Sequence, residues 1–156
     1  MALVADADRL LRITAWLMLV TDVGFVLYWT LIAIRLLPAE VMFADYDQPT
    51  VAAWNWSFLP LDMAASISGF AAVRALRRGH PRATPLLATS LTLTSTAGGM
   101  ALAYWAIRGD FELTWWLPNA FLLVFPLGIL VRLFRSGSCF ARVDNRLRLT
   151  SSGSSA

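Results

Sequence analysis

The chain has 156 residues, of which 58% are hydrophobic and 15% charged, with a net charge of +3. Soluble domains carry about a quarter of their residues as charges, so this composition excludes an ordinary water-soluble domain and indicates one compact membrane-embedded unit. The single cysteine, Cys139, excludes an internal disulfide, and the single histidine, His80, excludes a His-rich metal cluster. No metal and no cofactor are expected.

The polar start, residues 1–12, contains Asp6, Asp8, Arg9 and Arg12. The apolar run from Ile13 to Leu37 is too long for a signal-peptide core and predicts a first transmembrane helix stopped by Pro38. Residues 38–57, with Glu40, Asp45, Asp47 and Pro49, read as an outer loop. A second span is predicted from about Phe58 to Ala75, where Pro60 is tolerable because its missing N–H falls in the first turn. Arg74, Arg77, Arg78, Gly79, His80, Pro81 and Arg82 then make a basic turn. A third span covers Leu86 to Ile107, a short loop runs from Arg108 to Thr114, and a fourth span covers Trp115 to Phe134. The expected fold is all-α: a four-helix transmembrane domain over residues 1–134. A polar Arg/Ser-rich tail, expected to be disordered, follows over 135–156.

All 13 basic residues are arginine, and eleven of them fall in the N-terminal stretch, the basic turn and the region from Arg132 onward. Only Arg35 and Arg108 edge the other two connections. By the positive-inside rule this predicts a multi-pass membrane protein with both termini cytoplasmic. Because the arginines flank hydrophobic spans, the partners they imply are anionic lipids at the cytoplasmic face, not nucleic acid. The aromatics are equally lopsided. Tyr28, Trp29, Trp54, Trp56, Tyr104, Trp105, Trp115 and Trp116 map to the outer half, and Trp16 to the inner boundary. An interfacial belt populates both faces, so the asymmetry points to rings lining an outward-facing pocket.

Two acids lie where acids are expensive. Asp22 stands nine residues into the first span, ~14 Å from the inner interface at 1.5 Å per residue. A carboxylate near the midplane costs ~3 kcal/mol or more to insert, so Asp22 is expected to face the bundle interior. Desolvation there favours its neutral, proton-donating form, and packing through a hydrogen bond to a neighbouring Ser or Thr is the structural alternative. Asp62 follows Pro60 near a helix N-terminus, where the dipole alone rationalises a negative charge. Yet Asn55, Asp62, Ser66 and Gly69 recur at helical spacing on one small, polar face. Asn119 enters the fourth helix at similar depth. The expected site therefore has Asp22 and Asp62 as its acids, Asp22 closing the floor, with Asn55, Asn119, Trp29, Trp54, Trp56, Tyr104 and Trp116 around the ligand. In the third span, Thr89 to Thr96 with Gly98 and Gly99 read as a close-packing face. No phosphate loop, zinc pattern or nucleophile elbow appears.

The run Asp22, Val23, Gly24, Phe25, followed by Tyr28 and Trp29, then Asp45, Tyr46 and Pro49, carries a family resemblance. With the stretch from Trp54 to Asp62, Ser66, Gly69, and Trp116, Pro118 and Asn119, it resembles the YvaD-like small bacterial membrane proteins. The likeness extends over roughly residues 13–134 and implies a four-helix membrane fold, but no activity. In architecture alone, four helices with a long first outer loop and buried acids look like the emopamil-binding-protein and sigma-2-receptor group.

Three functions are consistent with these residues. The first is a cofactor-independent isomerase or cyclase, with the aspartates as acid and base on a lipophilic small molecule and the aromatics steadying a developing cation. The second is a proton-coupled exporter or binding protein for lipophilic cations, which at this size implies a homodimer. The third is an interaction subunit whose acids are structural.

Overall fold

The computed structural model describes residues 2–36 and 45–135, leaving aside the side chains of residues 2–8, 10 and 135. Pro38, Glu40 and the polar tail from residue 136, including Cys139, lie outside the described residues. Five helices make up the described chain: α1 (Ala2–Ala33), α2 (Pro49–Trp56), α3 (Leu59–Arg77), α4 (Ala83–Arg108) and α5 (Leu113–Arg135). Four stretches, Leu11–Ala33, Pro49–Arg77, Ala83–Arg108 and Leu113–Phe134, are long and apolar enough to cross a membrane. The protein is an all-α, four-span bundle. Intrahelical hydrogen bonding is what lets such a chain lie in lipid, because each span satisfies its own backbone.

The helix ends differ from the sequence expectation for local reasons. α1 stops at Ala33, short of Pro38, because Arg35 takes a left-handed conformation with φ 52°. The Leu36 N–H then returns to the Leu31 carbonyl at 3.2 Å. α4 ends similarly on Gly109 at φ 72°, where the Asp110 N–H reaches the Trp105 carbonyl. Here glycine makes the turn without a side-chain clash, which arginine at position 35 cannot do. The larger correction concerns residues 49–56, expected in a loop. Pro49 opens a helix there, tolerated at the first position, and α2 runs almost directly into α3. Pro60 has no N–H for the Trp56 carbonyl, so the junction tightens at Ser57 and Phe58, whose N–H groups reach back to Trp54 and Asn55. An ion pair of 2.6 Å between Arg108 and Asp45 ties the segment before α2 to the end of α4.

α3 packs on both α1 and α4, and α4 packs on α5, whereas α1 and α5 make little contact. α1 and α3 run antiparallel in a register set by two pairs: Trp29 meets Asp62, and Asp22 meets Gly69. The end carrying the basic turn has an aliphatic core built on Met18, Leu87, Leu91, Ile129, Leu130 and Leu133. The other end is aromatic, with Trp29 and Phe58 against Ala97 and Ala101, and Val51 against Trp105.

Candidate functional site

The aromatic end holds a cavity of about 370 Å³, within the ~300–1,000 Å³ of small-molecule pockets. Each span contributes a stripe at helical spacing. α1 gives Thr21, Phe25 and Tyr28; α4 gives Ala97, Ala101 and Trp105; α5 gives Trp115, Pro118, Asn119 and Leu122. The α2–α3 junction gives Trp54, Asn55, Phe58 and Asp62. The small side chains of Ala97 and Ala101 leave the space that the surrounding rings do not fill. Gly24 and Phe121 line the cavity and are exposed, on the two helices that scarcely touch each other. A Cβ built on Gly24 meets nothing within 4 Å. The opening therefore faces sideways, between α1 and α5, toward where lipid surrounds the bundle.

Among the described residues, Asp62 is the one charged residue on the cavity wall. It is buried, and its Oδ2 accepts a hydrogen bond from the Trp29 indole N–H at 2.9 Å. Its Oδ1 has no partner among the described residues. The carboxyl group does not cap its helix, because the hydrogen bond it makes is to α1 and not to the first N–H groups of α3. Beside it, Asn55 Oδ1 accepts from the Tyr28 hydroxyl at 3.0 Å, while the Asn55 amide NH₂ is buried without a partner among the described residues. One wall thus presents a carboxylate oxygen and an amide donor within an otherwise apolar chamber. Asn119 also lines the cavity, but its NH₂ is engaged with the Trp115 carbonyl at 2.7 Å.

The structure brings together Asp62, Asn55, Asn119, Trp54 and Trp29 from the expected set. It leaves the other four off the wall. Trp56 is 42% exposed and rests against the outside of Trp29, with ring centroids 5.4 Å apart. Tyr104 stacks on Trp54 at 3.9 Å, and its hydroxyl accepts from Arg108 instead of entering the cavity. Trp116 turns its indole N–H to the Asp110 carbonyl.

Asp22 is only 1% exposed, yet it does not line the cavity, whereas its neighbour Thr21 does. The Asp22 carboxyl group sits against Gly69, and neither oxygen has a partner among the described residues. Ser66 donates to its backbone carbonyl at 3.2 Å, not to its side chain.

Residues absent from the expected set but present on the wall include Tyr28, Phe25, Phe58, Trp105 and Trp115. The usable signal for Phe25, Tyr28 and Trp105 was spacing: Thr21, Phe25 and Tyr28 fall four and three apart, and Ala97, Ala101 and Trp105 fall four apart.

The family described as "Family of unknown function (DUF5360)" matches residues 14–139. The chain is 40% identical over 119 residues to "Uncharacterized protein YvaD" of Bacillus subtilis (strain 168), covering 76% of this chain and 90% of that protein. No solved structure matches the chain.

Proposed function

For this chain, which belongs to the DUF5360 family, we propose a membrane-embedded binding site for a lipophilic cation, with Asp62 as the counter-charge. The observation that carries this reading is Asp62 itself, with one oxygen held by Trp29 and the other unpartnered, in an aromatic chamber open sideways. An intramembrane carboxylate is costly unless it faces a cavity or a partner, and a cation bound there supplies the missing charge. Indole and phenol faces add cation–π attraction, which strengthens when the cation is desolvated. The sideways opening suits a molecule that arrives dissolved in the bilayer. Protonation of Asp62 competes with such a cation, which is the coupling that a proton-driven carrier uses.

Acid–base chemistry is the second reading, because the same free oxygen is placed to hand a proton to a neutral lipophilic substrate in an isomerase or cyclase.

Benzyltrimethylammonium, permanently charged and partly aromatic, is a suitable probe for titration against the purified chain in detergent. Its affinity is expected to fall at least ~10-fold in Asp62→Asn, about 1.4 kcal/mol. In the unaltered chain it is expected to weaken as the pH is lowered and Asp62 takes up a proton. Gly24→Leu, whose side chain enters open space at the mouth, is expected to block binding without loss of stability. Binding that Asp62→Asn leaves unchanged rejects the cation reading. Turnover of a neutral terpenoid that Asp62→Asn removes while affinity persists supports the acid–base reading instead.

The orientation that fits the arginine distribution puts both termini and the turn at Gly79 on the cytoplasmic side of the plasma membrane. Reporter fusions at Gly79 and at residue 156 are expected to read cytoplasmic; a periplasmic reading at either position reverses the assignment.

A further inference from the structure

The bundle has a second concavity, on the α1–α3 face at the end opposite the aromatic cavity. Ala15 and Leu19 of α1 and Val73 and Leu76 of α3 line it, and Arg12 and Arg77 border it. An adjoining hollow shares Leu19, Val73 and Arg77 and adds Arg74 and Arg78. Arg12 of α1, Arg74 and Arg77 of α3, and Arg78 just after α3 thus border two adjoining apolar hollows. All four are exposed, and none is in an ion pair among the described residues. Among the described residues, no carboxylate lines either hollow. From Arg12 to Leu19 is seven residues, so the trough runs ~10 Å from the rim toward the middle of the span. Trp16, 67% exposed, flanks it at the depth where indole rings favour the headgroup boundary.

We propose that this groove is a binding site for an anionic phospholipid, with the phosphodiester on Arg12, Arg74, Arg77 and Arg78 and one acyl chain along Leu19 and Val73. Charge complementarity selects the occupant. A guanidinium fork pairs well with phosphate oxygens, and four exposed arginines bordering two adjoining hollows, with no carboxylate among the described lining residues, favour an anion there. The trough beneath requires that this anion carry an apolar tail, which a soluble phosphate or a nucleic acid lacks. A zwitterionic lipid brings its own ammonium group, which the same arginines repel. The groove and the aromatic cavity share no lining residue, so this site stands whether or not Asp62 binds a cation.

The test uses the full chain purified in detergent and titrated with phosphatidylglycerol or phosphatidylcholine, with bound lipid counted by native mass spectrometry. One phosphatidylglycerol per chain is expected, retained in preference to phosphatidylcholine. Each arginine near an anionic surface contributes about fivefold in affinity, so Arg12→Gln/Arg77→Gln is expected to lower retention about 25-fold. The charge-matched Arg82→Gln/Arg132→Gln lies at the same end but outside the groove, and is expected to change it about twofold or less. Ala15→Trp fills the trough while keeping every charge, and is expected to lower retention as well. Circular dichroism checks that each variant is folded; if Ala15→Trp is not, the two arginine pairs decide alone. Equal losses in both pairs would mean a diffuse field and overturn the site. So would equal retention of phosphatidylcholine, or displacement of the lipid by millimolar inorganic phosphate.

Discussion

Gly98→Ala is expected to destabilise the bundle by about 3 kcal/mol, the upper range for forcing extra volume into a packed contact. An added Cβ at this position would lie 2.6 Å from the Asn119 carbonyl oxygen, 2.7 Å from the Leu123 nitrogen and 2.9 Å from the Leu122 Cβ. Two of these are backbone atoms of α5, which no rotamer change can move aside. The α4 and α5 helices must therefore separate, and the cavity wall formed by Asn119 and Leu122 moves with them. The adjacent Gly99→Ala is the internal control, because its Cβ would meet only the Leu123 Cδ1 at 3.4 Å. There the loss of glycine flexibility favours the helix, by up to ~1 kcal/mol. Thermal unfolding of both variants in the same detergent measures the difference. Equal midpoints would mean that α4 and α5 do not approach at Gly98 as described.

Gly69→Ala is expected to cost about 2 kcal/mol, for a different reason. The atoms its Cβ would strike belong to the Asp22 carboxyl group, which is buried between α1 and α3 and has little room to withdraw. The cost should therefore belong to the pair. With Asp22→Ala in place the obstruction is gone, and Gly69→Ala is expected to be nearly neutral, giving a coupling energy of about 2 kcal/mol. Asp22→Ala alone removes a buried carboxyl with no hydrogen-bond partner among the described residues, so it is expected to be neutral or stabilising. Additive effects of the two substitutions would remove the contact from the register of α1 on α3. A strong loss in Asp22→Ala alone would show that the carboxyl group has a stabilising partner. The same cycle separates packing from function: Asp22 lies behind the cavity wall, so its removal should leave benzyltrimethylammonium affinity unchanged.

These contacts also define what could be read from the chain in one dimension. The close approach at Gly98 was legible because small residues on a membrane span seldom have another use. The inward placement of Asp62 and Asn55 was legible because they share a helical face with Ser66 and Gly69. Their neighbours Trp56, Tyr104 and Trp116 were misjudged by position alone: all three lie at the right depth, but their rings point elsewhere. Residues 49–56 read as loop because two prolines and a cluster of acids surround them, yet they are helical. Pro49 stands at the first helical position, and Pro60 tightens the turn between two helices without ending the span.

The sequence by itself determined the number of spans, the approximate limits of three of them and the all-α class, since these follow from transfer free energies that add residue by residue along the chain. It also determined that two acids lie in the membrane. Only the tertiary structure decided that Asp62 reaches the cavity while Asp22 faces Gly69 behind it. That outcome depends on the rotation of α1 and its register against α3. Both acids are buried whichever way a small rotation falls, so hydropathy does not distinguish the arrangements. The distinction comes from side-chain shape and directed hydrogen bonds: the missing side chain of Gly69 leaves room for one carboxyl group, and the Trp29 indole N–H holds the other at the wall.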